Sequence, residues 1–483
     1  MSTPRTAIVW FRRDLRLADN PALATALERC AQVIPVYIHA PGEEAPWQPG
    51  GASRWWLHHG LTALAADLAD AGSRLVVAQG ESLSALRRLI QATGAVECHW
   101  NRLYEPATIA RDTAVKQALR GDGLHCDSHN AAMLFEPWTV QTTAGEPYRV
   151  FSPYWRQCAQ KLTDVAAPLP APGALPPVPA ALESLPIDAL GLLPRIRWDQ
   201  GLADTWQPGA AGAAARLRRF LGQALDAYGE RRDLPGEPGT SQLSPHLHWG
   251  EIGPRQVLAA VRDARADITA GGAGSFLREL GWREFSMQLL FHFPHTPAEP
   301  LDTRFAGFPW RTDGAEGLLE AWQRGQTGIP IVDAGMRELW HTGWMHNRVR
   351  MVVASLLTKN LRLPWQEGAR WFWDTLVDAD LANNTQGWQW TAGCGADAAP
   401  YFRIFNPVRQ GERFDAGGDY VRRWCPELAA LPERLIHQPW TAKPALLEGL
   451  GVQLGRDYPA PMVDLQRSRD EALAAYEQIK QQS

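Results

Sequence analysis

Four short motifs in the last third of the chain decide its fold. They read GWMHNRVRM (343–351), DADLANN (378–384), GWQW (387–390) and ADAAPYFRIFNP (396–407). Carboxylates, amides and arginines stand here at positions that are normally apolar in a helical core. Tryptophans alternate with these polar groups. The combination is typical of a buried redox cofactor that lies beside a site for an aromatic base.

Composition and charge are those of an ordinary soluble protein with two or more domains. The 483 residues are 45% hydrophobic and 21% charged, and the 22 Trp outnumber the 14 Phe and the 9 Tyr. The net charge of −4 and the pI of about 6.4 give the whole molecule no electrostatic signature of nucleic-acid binding. Any contact with DNA therefore depends on a local basic surface, for which the candidates are Arg403, Arg409, Arg413, Arg422 and Arg423.

The cysteines and the N-terminal sequence argue against several protein classes. The six cysteines are scattered, with no CxxC pair and no histidines at ligand spacing, which argues against zinc and against a disulfide scaffold. The sequence MSTPRTAIVWFRRDLRL has too short an apolar run for a signal peptide, and no stretch is long enough to cross a membrane. We therefore expect a cytoplasmic protein that has no metal site and no membrane partner.

The first part of the chain alternates strand and helix patterns. Helices are predicted from Asn20, Ser53, Ser82 and Thr108, with Asn20 and Ser53 as caps. Repeated βαβ units imply a parallel sheet that is covered on both faces, and we expect a flavodoxin-like winding. No G-x-G-x-x-G loop follows a strand, so a dinucleotide fingerprint is absent. The predicted strands are residues 7–11, 33–38, 75–78, 96–100 and 124–126.

The rest of the chain divides into a connector and a helical region. Ala, Pro and Leu with weak periodicity indicate a connector that runs over the surface. Helical patterns follow, for example over residues 213–228, 254–266, 275–290, 331–341 and 348–358. We predict an α/β domain at residues 1–135, an interdomain connector at 136–212 and a larger all-helical domain at 213–483.

A loop rich in hydroxyl groups precedes one of these helices. In GTSQLSPHLHWGEI (239–252), Thr240, Ser241 and Ser244 can donate to phosphate oxygens, and the amides of a helix start favour an anion. Taken alone, the pattern fits an N-cap cluster without a ligand better.

Two other motifs place polar and aromatic side chains on one helical face. FLRELGWREF carries Glu279, Trp282 and Arg283 at i, i+3 and i+4. That spacing suits a binding face and an exposed salt-bridged stripe equally well. In GWMHNRVRM, Asn347 and Met351 are one turn apart, although a single Met at helical spacing is more often part of a core.

DADLANN contributes Asp378, Asp380 and Asn384. Two acids this close could bind a metal, but histidines at ligand spacing are missing. They could also cap helices. For any single tryptophan of the chain, a position in the core is the simpler interpretation.

In their joint order, these motifs resemble those of the DNA photolyase and cryptochrome family. The resemblance covers nearly the whole chain, is most specific over residues 239–424 and is looser in the first domain. It implies an α/β antenna-binding domain followed by a larger all-helical domain that binds FAD. Several details are most similar to the bacterial class III photolyases, the group nearest to plant cryptochromes: SRWWLHH (53–59), NRLYEP (101–106), LFEPW (134–138) and SPHLHWGEI (244–252).

The resemblance implies roles for individual residues. It assigns flavin binding to Tyr228, Thr240, Ser241, Gln242, Leu243, Ser244, Arg283, Asn347, Asp378, Asp380 and Asn384. It assigns contacts with the lesion or the DNA backbone to Arg232, Glu279, Trp282, Asn347, Arg348, Met351, Trp390, Arg403 and Gln410. It assigns catalytic roles to Glu279 and Asn384, and photoreduction of the flavin from the surface to Trp388, Trp365 and Trp322. One departure is Phe276, where many relatives carry Trp at a flavin contact.

The function implied by this resemblance is light-dependent repair of cyclobutane pyrimidine dimers in DNA by a monomer that carries reduced FAD. Asn384 favours a fully reduced flavin, because its side-chain oxygen can accept from the hydrogen on flavin N5. Met351 is typical of enzymes that act on cyclobutane dimers, whereas relatives that act on (6-4) photoproducts usually carry His. A cryptochrome photoreceptor or a (6-4) photolyase is the alternative.

An antenna chromophore is also implied for the α/β domain. Methenyltetrahydrofolate is the first expectation and a deazaflavin is the alternative. Glu105 matches a residue that contacts folate in related enzymes, but an acidic residue at a strand end is just as consistent with a generic role.

Overall fold

The computed structural model describes residues 5–398 and 402–481. The chain forms two units: unit 1 comprises Met1–Asp226 and Ser241–Pro294, and unit 2 comprises Ala227–Thr240 and His295–Ser483. Residues 399–401 of the motif ADAAPYFRIFNP lie outside the described residues. The domain boundaries at residues 135 and 212 remain predictions.

A five-stranded parallel sheet organises unit 1. Its strands are β1 (Thr6–Phe11), β2 (Gln32–His39), β3 (Val76–Gln79), β4 (Glu97–Asn101) and β5 (His125–His129), in the order β3-β2-β1-β4-β5. Every residue of β1 is buried, as expected for the central strand of a sheet that is covered on both faces. The parallel sheet and all five predicted strands are confirmed, with small differences at the strand ends.

The predicted winding of the sheet is wrong. A flavodoxin-like sheet has the strand order 2-1-3-4-5. Here β3 pairs with β2, and β4 returns to pair with β1, which is the order of dinucleotide-binding sheets. The sequence could not distinguish the two orders, because the residues of a strand indicate which of its faces are buried but not which strand lies beside it.

Helices of unit 1 connect and extend this sheet. They are α1 (Pro21–Arg29), α2 (Gly51–Asp70), α3 (Ser82–Thr93), α4 (Pro106–Gly121), α5 (Phe151–Gln160), α6 (Gln200–Thr205) and α7 (Ala210–Gln223); α8 (Tyr228–Arg231) belongs to unit 2, and α9 (Ser244–His248), α10 (Pro254–Ala264) and α11 (Gly271–His292) return to unit 1. Asn20 caps α1 as predicted, since its side chain accepts from the backbone N–H of Leu23 at 3.1 Å. The predicted Ser53 cap is wrong, because α2 begins at Gly51 and buries Ser53 within its first turn.

The segment predicted as a connector contains α5, α6 and two short 3-10 helices, Leu162–Asp164 and Ile187–Leu190. It is tied to the α/β part of unit 1 by backbone hydrogen bonds. The N–H of Leu175 donates to the Ala71 carbonyl at 2.8 Å, and the N–H of Leu185 donates to the Val77 carbonyl at 2.9 Å.

Unit 2 is built from helices around an apolar core. Besides α8, they are α12 (Ala315–Gln323), α13 (Pro330–Thr342), α14 (Asn347–Ser355), α15 (Trp365–Thr375), α16 (Leu381–Ala392), α17 (Pro407–Phe414), α18 (Asp419–Trp424), α19 (Glu433–Ile436), α20 (Pro444–Gly449) and α21 (Leu465–Gln481). A π-helix, Leu356–Asn360, continues α14, so the helix predicted over residues 348–358 consists of two elements. The mostly helical C-terminal part that the sequence predicted is confirmed, although Ser241–Pro294 belongs to unit 1. Across the described ranges, no helix is long and apolar enough to cross a membrane.

Candidate active site

In unit 1, helix α11 carries Glu279, Trp282 and Arg283 on neighbouring turns, as their spacing predicted. The Trp282 ring lies flat against Phe151 of α5, with ring centroids 3.8 Å apart and an interplanar angle of 10°. Arg283 donates from Nη1 to the carbonyl of Ala132 at 2.8 Å. The face is therefore a partly buried, packed surface and not an exposed salt-bridged stripe.

Glu284, the next residue on α11, has a role that the sequence did not reveal. Its buried carboxylate accepts from the backbone N–H groups of Leu134 and Phe135 at 3.0 Å. Burial raises the pKa of Glu284 to about 7, since desolvation disfavours the charged form. The residue fixes α11 to the LFEPW segment, a partner 150 positions away that no local pattern indicates.

In unit 1, residues 241–252 of the hydroxyl-rich loop are held in place by two sets of contacts. Gln242 adopts a left-handed conformation with φ of 51°, and its Oε1 accepts from Arg216 at 2.5 Å. At the start of α9, His246 hydrogen-bonds through Nδ1 to Glu251 at 2.5 Å, and Trp56 donates to the other oxygen of Glu251 at 2.9 Å. The conformation of the loop is therefore set by buried partners and does not depend on what its hydroxyl groups bind.

Part of the predicted set lies in unit 2. Thr240 and Tyr228 belong to this unit, and the Arg232 guanidinium lies over the Tyr228 ring at 5.5 Å. Tyr228 is buried, so the arginine covers one face of a fixed ring.

Helix α14 carries Asn347, Arg348 and Met351 on its first turns. His346 caps it by accepting from the Arg348 N–H through Nδ1 at 3.2 Å, and burial lowers the pKa of His346 to about 4, so that the ring stays neutral at physiological pH. The Arg348 guanidinium pairs with Asp233 at 2.7 Å and lies over the Phe414 ring. The predicted residues therefore start a well-anchored helix.

Glu338 supports this helix from α13. Its Oε2 accepts from the Tyr420 hydroxyl at 2.6 Å and from the His346 N–H at 3.3 Å. Burial raises the pKa of Glu338 to about 7.

The acids of DADLANN have different partners. Asp378 accepts two hydrogen bonds from Arg350, at 2.8 and 3.1 Å. Asp380 caps α16 by accepting from the Asn383 N–H at 2.8 Å, which confirms the capping alternative for this residue. Arg350 was missed by the sequence analysis, although its position three residues after Asn347 places it on the same helical face. Within residues 5–398 and 402–481, no three His, Cys, Asp or Glu side chains are grouped so that they could hold a metal ion.

Asn384 is oriented so that its oxygen is available. Its Nδ2 donates to the Ala369 carbonyl at 2.9 Å, which fixes the direction of the amide. Its buried Oδ1 has no hydrogen-bond partner in the part of the chain that the structure describes. A buried acceptor without a donor is costly, so this atom is a candidate contact for a ligand that carries an N–H or O–H group. The reduced flavin ring, with its hydrogen on N5, has such a group and fits.

The predicted tryptophans lie in the core of unit 2. The Trp388 and Trp322 rings are 6.1 Å apart in an edge-to-face arrangement, and both lie beside Phe372. Trp322, Trp365 and Trp388 are exposed by only 0%, 2% and 2%. The prediction that these three tryptophans carry electrons from the surface to the flavin is therefore wrong for Trp322 as the surface end, because Trp322 has no contact with solvent. Sequence matching could not reveal this, since burial depends on the packing of distant helices.

The remaining DNA candidates differ in their environment. Trp390 donates to the Asp397 carbonyl at 3.1 Å, Gln410 lies on α17, and Arg403 is exposed. Arg422 is committed to backbone carbonyls, including that of Leu431 at 2.9 Å, which makes it a poor candidate for a phosphate contact. The basic surface that was predicted from five arginines therefore loses Arg422 as a candidate.

Comparisons with known proteins agree with this arrangement. The family described as "FAD binding domain of DNA photolyase" matches residues 276–478, and "DNA photolyase" matches residues 7–174. The deoxyribodipyrimidine photo-lyase of Agrobacterium fabrum is 48% identical over 474 residues, with 98% of each chain covered. Cryptochrome-2 of Arabidopsis thaliana is 40% identical, with 97% of this chain and 78% of the relative covered. The crystal structure of a bacterial class III photolyase from Agrobacterium tumefaciens matches with a TM-score of 0.95 and 47% identity, covering 100% of this chain and 99% of that one.

Proposed function

We propose that this chain, which belongs to the DNA photolyase and cryptochrome family, is a light-dependent repair enzyme for cyclobutane pyrimidine dimers in DNA. The enzyme class predicted from the sequence is the one that the Agrobacterium fabrum relative is named for. The observation that supports the proposal most strongly is the buried, unpartnered Oδ1 of Asn384.

The cofactor of the family is FAD, and the residues of this chain fit it. When bound, reduced and excited by light, FAD supplies an electron. In unit 2, Asn384 offers an acceptor for the N5 hydrogen, while Asp378 and Asp380 are held by Arg350 and by the start of α16. We assign flavin binding to these residues, to Asn347, Tyr228 and Thr240, and in unit 1 to Arg283 and the loop from Ser241 to Ser244.

We assign the lesion side to a second group of residues. A dimer in a stacked duplex cannot reach a buried flavin, so it must be flipped out, which costs less at a lesion that already weakens its own stacking. The flat indole of Trp282 offers a stacking surface, and we assign stabilisation of the developing anion to Glu279, one turn before Trp282 on α11. In unit 2 we assign Met351, Trp390 and Asn347 to this group. Arg232, Arg348, Arg403 and Gln410 complete it as contacts that fix register on the backbone.

For electron supply to the flavin we retain Trp388 and Trp365. Trp322 packs edge-on against Trp388 and donates its Nε1 hydrogen to the Val353 carbonyl at 3.0 Å, so we assign it to the core.

The antenna remains a prediction, with methenyltetrahydrofolate favoured over a deazaflavin. Glu105 is buried and forms a salt bridge with Arg13, so its position is explained without a chromophore. An absorption spectrum of the chromophores released by mild denaturation distinguishes folate from deazaflavin.

The decisive experiment uses purified, reduced protein and an oligonucleotide with one thymine dimer, under blue light and in the dark. Dimers are expected to disappear only in the light, and a matched oligonucleotide with a (6-4) photoproduct is expected to stay unchanged. Glu279→Ala should lose most of the activity, while Glu367→Gln, at a partly exposed position on α15, serves as the matched control.

Absence of light-dependent dimer loss in the wild type would refute the repair assignment and favour the photoreceptor alternative, which the similarity to a plant cryptochrome supports. Repair of the (6-4) oligonucleotide would overturn the choice of lesion. Undiminished repair by Glu279→Ala would remove that residue from the mechanism.

A further inference from the structure

We propose that Phe151 is a positioning residue that holds the indole of Trp282 in one fixed plane, and that this stack sets the preference of the protein for a lesion over intact DNA. The inference rests on the proposed function, because Trp282 is there assigned to the lesion side. Phe151 lies outside every motif that the sequence analysis singled out.

The geometry of the stack is that of a fixed platform. Phe151 is fully buried, with 0% of its surface exposed, and its ring lies 3.8 Å from that of Trp282 at an angle of 10°. Phe285 packs against both rings edge-on, at 5.7 Å from Phe151 and 5.8 Å from Trp282. One face of the indole is therefore occupied by Phe151, and an edge is held by Phe285.

The helix behind the stack is itself held against α11. Trp155, one turn after Phe151, lies nearly parallel to it at 9° and rests on the backbone at Gly281, where a Cβ would come within 2.2 Å of the Trp155 ring. Only glycine permits this approach. Two rings of α5 thus lie flat on α11, so that Trp282 cannot tilt unless α5 moves.

A further contact limits the movement of Phe151. The guanidinium of Arg278, one turn before Trp282 on α11, lies 5.1 Å from the Phe151 ring centroid. Phe151 therefore contacts two residues on the same face of α11, and the plane of the indole is set before any ligand arrives.

A preset plane increases affinity because the side chain loses little freedom when a base stacks on it. Ordering one side chain during binding weakens affinity by about two- to tenfold. Undamaged DNA keeps its bases stacked and is held mainly through its phosphates, so it does not gain from the platform. Loss of the stack should therefore change the selectivity and not the overall affinity for DNA.

The test compares FAD-loaded wild type with Phe151→Met, which keeps most of the volume but removes the planar ring. Dissociation constants are measured in the dark, at one salt concentration, for a double-stranded oligonucleotide with one thymine dimer and for its undamaged counterpart. We expect Phe151→Met to bind the dimer about three- to tenfold more weakly and the undamaged duplex unchanged. Phe151→Leu is tested in parallel so that the result does not depend on one variant folding.

Two further variants separate positioning from simple destabilisation. Phe151→Tyr keeps the aromatic ring and should keep the selectivity. Cys158→Ala, at a buried position two turns along the same helix, should lower the melting temperature and leave the selectivity unchanged. The inference is overturned if Phe151→Met and Phe151→Leu leave the ratio of the two dissociation constants unchanged, whether both constants stay the same or both rise by the same factor. If the wild type shows no preference for the dimer, the proposed function fails first, independently of Phe151.

Discussion

Trp388 is positioned by a glycine on the neighbouring helix, and replacing that glycine tests the arrangement directly. A Cβ on Gly368 of α15 would lie 2.0, 2.4 and 2.5 Å from three atoms of the Trp388 ring. Ordinary contacts begin at 3.4 Å, so Gly368→Ala requires a shift of about 1.4 Å. The ring has little room, since only 2% of Trp388 is exposed and Phe372 packs edge-on with a centroid distance of 5.0 Å.

The size of the effect follows from two opposing terms. Alanine is favoured over glycine in a helix by about 1 kcal/mol. Forcing an extra methyl group into a packed core costs about 1–3 kcal/mol. The shift of about 1.4 Å that Gly368→Ala requires puts its packing cost in the upper part of this range, at about 2–3 kcal/mol, so we expect a net loss of about 1–2 kcal/mol in the free energy of unfolding. For a unit of this size, that loss corresponds to a decrease of roughly 2–8 °C in the melting temperature.

Gly387→Ala supplies the matched control. Gly387 lies on α16 beside Trp388, but a Cβ there would meet no atom within 4 Å. This variant should gain about 0.5–1 kcal/mol from helix propensity alone. Melting temperatures of both variants are measured by thermal denaturation, and flavin photoreduction under blue light is followed by absorbance. Gly368→Ala should have a lower melting temperature than the wild type and should photoreduce its flavin more slowly, whereas Gly387→Ala should have a higher melting temperature. A Gly368→Ala protein that melts at or above the wild-type temperature would show that the ring is not where the contact requires it.

Two further predictions concern buried charges in unit 2. In the wild type, the raised pKa of Glu338, about 7 against a usual 4.5, means that native stability falls as the pH rises through this window, by about 3 kcal/mol in all. Glu338→Gln does not titrate, so its melting temperature relative to the wild type should climb between pH 5 and 7 and then level off; a difference independent of pH would contradict this. Arg350→Met should destabilise the protein by about 3–5 kcal/mol, because it leaves the buried Asp378 carboxylate without its partner. Adding Asp378→Asn to Arg350→Met should recover part of the loss in melting temperature, and a purely additive result would argue against the pair.

Local sequence signals were sufficient to place most elements of unit 1. Strands β1, β2 and β3 follow short apolar runs between helical patterns, and Asn20 before Pro21 is a strong start signal for a helix. The strand order was not encoded in the same way. It depends on which edge of the sheet accepts β3, and that choice is made by the packing of whole helices.

The candidate site shows the same division between local and distant information. Helical spacing placed Glu279 beside Trp282, since neighbours on a helix face are three or four residues apart. Their supports were not predictable, because Glu284 bonds to a segment 150 residues earlier and Phe151 reaches Trp282 from another helix. The burial of Trp322 was missed for a related reason, since a sequence match carries no information on solvent contact.

What distinguishes a ligand-binding polar group from a structural one in this core is whether the protein already satisfies it. The resemblance assigned flavin binding to Asp378, Asp380 and Asn384 alike, yet a guanidinium pairs with Asp378 and the start of α16 engages Asp380. Asn384 uses its donor on the Ala369 carbonyl and leaves its buried acceptor unsatisfied. Because an unsatisfied buried acceptor destabilises the protein, its presence is best explained by a ligand that supplies the donor. We therefore propose that Oδ1 of Asn384 faces the ligand, while the Asp380 cap holds the start of α16, the helix that carries Asn384.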